Sequence, residues 1–153
     1  SDNTYTRDEI LRMEAGILNK LDFTLTIATP KVFLRRVFRA ATYSVGADQR
    51  VNLLSQYLCE LTLQEYGFLK YLPSMVAAAS IYLALRRFDV GPWDETLMHY
   101  STYKEADLTA CVRDFYEAWR RASDNSLQAV KEKYNTGRLL SVSRVTPPAA
   151  SPL

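Results

Sequence analysis

A glutamate occupies the middle of an apolar helical stripe close to the start of the sequence. Within RDEILRMEAGILNKLDF, residues 7–23, the candidates for one face are Ile10, Ile17, Leu18 and Leu21. A turn of about 100° per residue brings them together, with Glu14 projecting from roughly the centre of the same face. An unpaired carboxylate is costly to bury. Glu14 therefore either ends at the rim beside water or a lysine, or accepts hydrogen bonds from a partner that docks on the stripe. The spacing leaves both readings open. In either case the chemistry it offers is recognition.

Catalytic chemistry is hard to assemble from the remaining residues. His99 is the only histidine, which excludes an HExxH zinc site, and it reads as a surface or rim residue. The five glycines form neither GxGxxG nor GxxxxGK[ST], so neither nucleotide-binding motif is present. Asp8-Glu9 and Asp94-Glu95 are adjacent pairs, and adjacent positions on a helix point to different sides. They suit solvated helix starts. No metal or other cofactor is expected, and the chain does not read as an enzyme.

The elements that must position these residues are helical. The 153 residues are 48% hydrophobic, enough for one compact domain with a core. Net charge is +2, from 19 basic and 17 acidic residues, which gives no electrostatic reason to expect nucleic acid or an anionic membrane. Cys59 and Cys111 stand far apart in apolar segments and suit two reduced, buried thiols. No membrane span or signal peptide is legible.

Thr6 and Glu9 have capping-box spacing and start a helix reaching about Leu21. Thr29-Pro30 starts a second, with Val32, Phe33, Val37 and Phe38 as its stripe to about Ala41, and Gly46 breaks it. Asp48 caps a third, carrying Val51, Leu54, Leu58 and Leu61, which exits at Tyr66-Gly67. The segment PSMVAAASIYLALR, from Pro73, is apolar nearly all round and rich in alanine, so it is expected at the centre of the fold. A short helix over Trp93 to Tyr100 follows Gly91-Pro92. Thr102 and Glu105 repeat the capping-box spacing before a long helix with Leu108, Cys111, Val112, Phe115 and Trp119 buried. Ser123 to Asn125 stop it and cap a last short helix, Leu127 to Tyr134. After Gly137 the periodicity fades. The fold class is all-α.

Five stretches, TYTRDEILRMEAGILNKLDF, FLRRVFRAA, YLCELTLQEYGFLKYLPSMVAAASIYLAL, TLMHYSTY and VKEKYNTG, resemble mitotic cyclins, closest to the B type, in sequence and spacing. The most specific piece is KYLPSMVAAASIYLAL. The resemblance covers residues 3–143. It implies a C-terminal cyclin fold, five helices around a central alanine-rich one, whose hub is Ala77, Ala78, Ala79 and Ala84. It also implies that residues 1–28 hold the last helix of the N-terminal cyclin box and a connector. Residues 29–136 then form the C-terminal fold with a short terminal helix, and 137–153 a flexible tail.

The function so implied is that of a regulatory subunit binding and activating a cyclin-dependent kinase in cell-cycle control, in nucleus and cytoplasm. Glu14 would support hydrogen bonds to the C-helix of the kinase, Leu18 and Leu25 would line a pocket for a kinase isoleucine, and Phe23 would border it. The family's first four N-terminal-box helices have no counterpart here, so the chain reads as a fragment. It would not activate a kinase alone, and residues 6–25 would self-associate. A general-transcription-factor repeat on promoter DNA is the alternative, and the near-neutral charge argues against it. Trp93 and Trp119 suit packing, Arg35, Arg36 and Arg39 a solvated face, and Thr146-Pro147 and Ser151-Pro152 match the minimal pattern of proline-directed phosphorylation.

Overall fold

The computed structural model describes residues 4–148, and every regular element among them is helical. The α-helices are α1 (Arg7–Lys20), α2 (Pro30–Val45), α3 (Gln49–Leu61), α4 (Pro73–Phe88), α5 (Glu95–Ser101), α6 (Glu105–Arg121) and α7 (Ala129–Tyr134). Short 3-10 turns occupy Thr62–Gln64, Tyr66–Lys70, Gly137–Leu139 and Val142–Arg144.

Helix α4 is the hub because its sequence gives every face to a neighbour. Each residue from Val76 to Leu85 is buried, and α2, α3, α5 and α6 all pack against it. Ala77, Ala78, Ala79 and Ala84 are fully enclosed. Their small side chains let neighbouring backbones approach closely, while Leu58, Val112 and Phe115 fill the surrounding layer. Phe115 meets Phe68 edge-on, 4.8 Å between ring centres. In the hub, the Ser80 hydroxyl donates to the Ala77 carbonyl at 2.8 Å and accepts from the Cys59 thiol at 3.2 Å. Cys59 and Cys111 are buried free thiols. Burial pushes each up to about 12, so both are protonated and unreactive near neutral pH.

Local signals fix most helix ends. Asp48 accepts from the backbone N–H of Arg50 (2.9 Å) and Val51 (3.2 Å), and Pro30 holds the first position of α2. Gly46 ends α2 with φ 72°, a left-handed conformation that glycine adopts without strain. The helix runs on to Val45, past the expected end at Ala41.

Several local expectations are corrected. Thr102 ends α5 in the left-handed conformation (φ 70°) instead of capping α6. The start of α6 is held by Asp107, whose carboxylate accepts from the Lys104 N–H at 2.8 Å. Helix α5 begins at Glu95, since Asp94 caps it through the Leu97 N–H at 2.9 Å. Trp93 lies just before it, packs against Tyr82 and donates its indole N–H to the Tyr103 carbonyl at 3.0 Å. Helix α7 starts at Ala129, because Asn125 closes a local turn on the Leu127 N–H at 3.0 Å.

The segment after Gly137, expected as a loose tail, is described as far as Pro148. Residues 137–148 lie against the body: Val142 is buried beside α3 and α7. Further on, Arg87 donates to the Thr146 carbonyl at 2.8 Å and Tyr116 to the Pro148 carbonyl at 2.9 Å. Ser151-Pro152 falls outside the described residues.

Candidate functional site

Helix α1 is built to form alone. Thr6 Oγ1 accepts from the Glu9 N–H at 3.3 Å, and Glu9 Oε2 accepts from the Thr6 N–H at 2.7 Å, closing a capping box. The Thr6 backbone hydrogen bond, then its hydroxyl, hold the Glu9 carboxyl below the usual carboxylate range. Asp8 and Glu9 complement the dipole at one end and Lys20 at the other. Such devices are needed, because a lone helix of this length is marginal in water.

Among the described residues no other helix packs closely on α1. None of its fourteen residues is buried. Ile10 is 53% exposed, Ile17 50% and Leu21 48%, and Leu18 is half-buried. Tyr5, Ile10, Met13, Glu14, Ile17 and Leu18 wall a shallow open hollow along the helix. Glu14 lies exposed within this apolar surface and has no hydrogen-bond or ion-pair partner among the described residues. The conflict posed by a carboxylate on a buried stripe is therefore absent from the chain by itself. It arises only when something covers the stripe.

The chain then turns sharply to extend this surface. The Leu21 N–H bonds to the Ile17 carbonyl at 3.0 Å and the Phe23 N–H to the Leu18 carbonyl at 3.0 Å. Asp22 and Phe23 both have positive φ, 46° and 54°. Two successive non-glycine residues in this region cost on the order of 1 kcal/mol each, most unusually for an aromatic. The turn leaves Phe23 65% and Leu25 59% exposed. The structure thus places Glu14, Leu18, Phe23 and Leu25 in one continuous stretch of helix, turn and connector, the first, third and fourth exposed and Leu18 half-covered.

Four further apolar side chains of this region, Leu11, Met13, Ile27 and Tyr5, are exposed and were not anticipated. Ile27 had a legible signal: Phe23, Leu25 and Ile27 alternate with Thr24 and Thr26, the period of a one-sided extended segment. An apolar surface of this extent is unusual on a protein with nothing to bind.

Other residues considered at the outset lie elsewhere. His99 is exposed on α5 with its ring 5.3 Å from that of Tyr100, and Arg35, Arg36 and Arg39 lie exposed on the outer face of α2. No cluster of three His, Cys, Asp or Glu able to hold a metal occurs among the described residues. Nor is any helix among them long and apolar enough to cross a membrane.

Comparison with known proteins places these elements in a known frame. The family model for the cyclin C-terminal domain matches residues 28–148, and α1 lies before that match. Cyclin-A2-1 of Oryza sativa subsp. japonica is 42% identical over 151 residues, covering 97% of this chain and 31% of the relative. Cyclin-A2-3 of Arabidopsis thaliana is 43% identical, covering 97% and 34%. The G2/mitotic-specific cyclin-B of Dictyostelium discoideum is 41% identical over 147 residues, covering 95% and 33%. The chain spans about a third of the length of these relatives. A-type and B-type relatives match at similar identity, so the expected leaning toward the B type is replaced by mitotic cyclins of both kinds.

Proposed function

Because the chain belongs to the cyclin family, we propose that it is the C-terminal region of a mitotic cyclin, a non-catalytic regulatory subunit that binds and activates a cyclin-dependent kinase in the cell cycle. It works inside the cell, in nucleus and cytoplasm. The observation that supports this reading is the face described above: a well-capped helix with no buried residue and an unpaired carboxylate in the middle of its apolar surface. That combination suits a surface completed by a partner.

In the proposed complex Glu14 accepts hydrogen bonds at the C-helix of the kinase. Leu18 and Leu25 line a pocket for an aliphatic kinase side chain, and Phe23 borders it. Docking moves the kinase C-helix into place and orders the activation loop, so the active site lies wholly within the kinase. The fold around α4 serves as a rigid mount. Without the kinase, the same stripe lets two copies of this chain associate through residues 6–25.

The promoter-DNA alternative loses its ground: the matched relatives are cyclins, and a net charge of +2 supplies no basic face for phosphates. Pulldown of the intact parent cyclin, with and without Glu14→Ala, tests the proposal. Bound kinase should fall about tenfold, equivalent to the loss of one charge-assisted hydrogen bond. Undiminished binding would remove Glu14 from the interface.

A further inference from the structure

Residues 137–148 form a strap, and one of its fastenings lies at Thr146. Residues 137–148 run from α7 back over the body, anchored first by the buried Val142. They are fastened again by two side-chain donors from different helices. Arg87, in the last turn of α4, gives its Nε–H to the Thr146 carbonyl at 2.8 Å. Tyr116, on α6, gives its hydroxyl to the Pro148 carbonyl at 2.9 Å. Thr146 lies between these two fastenings and is itself exposed.

Two features converge there. Pro147 follows Thr146, and a residue before proline is biased toward the extended backbone that a protein kinase accepts. Arg87 already touches the residue through the carbonyl and has no carboxylate partner among the described residues. A dianionic group on Thr146 would therefore arrive beside the Arg87 guanidinium, which is suited to phosphate. Asp89 is the opposing charge at this end of α4, and it is exposed and so screened.

We propose that Thr146 is a phosphorylation site for a proline-directed protein kinase, and that its phosphate is received by Arg87 so that the strap closes more firmly on α4. The γ-phosphoryl group of magnesium ATP passes to Thr146 Oγ1. The bond from the γ-phosphorus to the bridging oxygen breaks, ADP departs, and the hydroxyl proton goes to the catalytic carboxylate of the kinase. Access requires local opening at the Arg87 fastening, an exposed hydrogen bond to the Thr146 carbonyl. After transfer, about two negative charges hold the segment where one neutral carbonyl held it before.

The test uses the full chain, an active proline-directed kinase and magnesium ATP, with mass spectrometry to locate the phosphate and hydrogen exchange to read the strap. Phosphate is expected at Thr146, to be absent in Thr146→Ala, and to persist in Ser151→Ala. In the phosphorylated chain, exchange over residues 138–148 should slow about tenfold. In Arg87→Ala the phosphate should still be incorporated but the slowing should be lost. A chain phosphorylated only at Ser151, or a peptide of residues 138–153 phosphorylated at Thr146 while the folded chain is not, overturns the site. Unchanged or faster exchange after phosphorylation, or slowing that survives Arg87→Ala, overturns the receiving role.

Discussion

Helices α1 and α4 are nearly equal in length, fourteen residues against sixteen, yet they use apolar side chains in opposite ways. Ten successive residues of α4 are buried and none of α1. In α4 the apolar residues go all round and the smallest lie at the crossings, so other helices of the same chain cover every face. In α1 they occupy one stripe, a carboxylate interrupts it, and hydrogen-bonded caps stabilise the helix from its ends. Hydrophobicity thus has two meanings in one chain. Where it is continuous and small it marks the inside, and where it is one-sided and interrupted by charge it marks a face kept for something else.

The contrast is broken most severely from the α4 side. Replacing Ala78 by leucine adds volume where exposure is zero and neighbouring backbones are close. It should cost about 1–3 kcal/mol, and Leu58→Ala, which leaves a cavity beside the same helix, about 2–5 kcal/mol. Ile17→Ala in α1 should change folding stability by less than about 0.5 kcal/mol. Urea unfolding followed by circular dichroism measures all three. A loss from Ile17→Ala as large as that from Leu58→Ala would show that α1 is part of the core.

This asymmetry also explains what could be read from the residues in advance. The hub was legible because PSMVAAASIYLALR leaves a helix no polar side to turn outward. The stripe of α1 was legible as a pattern, but its exposure was not, since the pattern of an amphipathic helix is the same whatever covers it. The start of α6 was misplaced because Thr102 has the right side chain and the wrong backbone: φ 70° takes it out of the helix, and Asp107 performs the capping three residues after Lys104. The contacts of residues 137–148 are illegible in the sequence for a different reason. The 3-10 turns there are three residues each, too short to display a period, and the anchors, Arg87 and Tyr116, lie 59 and 32 residues away in sequence. Glu14, Leu18, Phe23 and Leu25 came from family resemblance joined to pattern. Ile27 needed only the alternation that precedes Thr29-Pro30.

The next effect sharpens the contrast from the α1 side. Leu18→Ala and Glu14→Ala in the intact parent cyclin should each weaken kinase binding by about tenfold while leaving the thermal midpoint within a degree or two. Ala78→Leu should lower the midpoint by several degrees at least. A binding titration paired with a melting curve separates the two. Loss of binding in step with loss of stability would mean that the two helices do not divide the roles.

A weaker consequence is association of the isolated chain. With half of each of Ile10, Ile17 and Leu21 exposed, covering them recovers roughly 25 cal/mol per Å2 of apolar area, against the cost of joining two molecules. That balance should give a dimer only at high concentration. Light scattering on residues 1–153 should show mass rising with concentration, and residues 29–153 should stay monomeric. A monomer at every concentration with α1 present would reject self-association.

The smallest effect lies at the first turn of α1, where pH should loosen the helix without touching the core. Glu9 has its pKa lowered in the folded chain, first by the Thr6 backbone N–H and then by the Thr6 hydroxyl. A lowered folded-state value means that the cap contributes above the unfolded value of about 4.5 and is lost as pH falls through the folded value. Protonation removes the charge from the acceptor that closes the box, and α1 has no packed face to compensate. Asp114 also titrates low, by another balance: burial raises it, but hydrogen bonds from Lys70 and Tyr71 outweigh that. The Lys70 ion pair at 2.7 Å ties the 3-10 turn Tyr66–Lys70 to α6, which packs on α4. Between about pH 5 and pH 3, amide resonances of residues 6–10 should therefore shift and exchange faster while those of residues 76–85 do not. Glu9→Gln should remove most of the change over residues 6–10. A transition shared by both helices in that window would mean that α1 is coupled to the core.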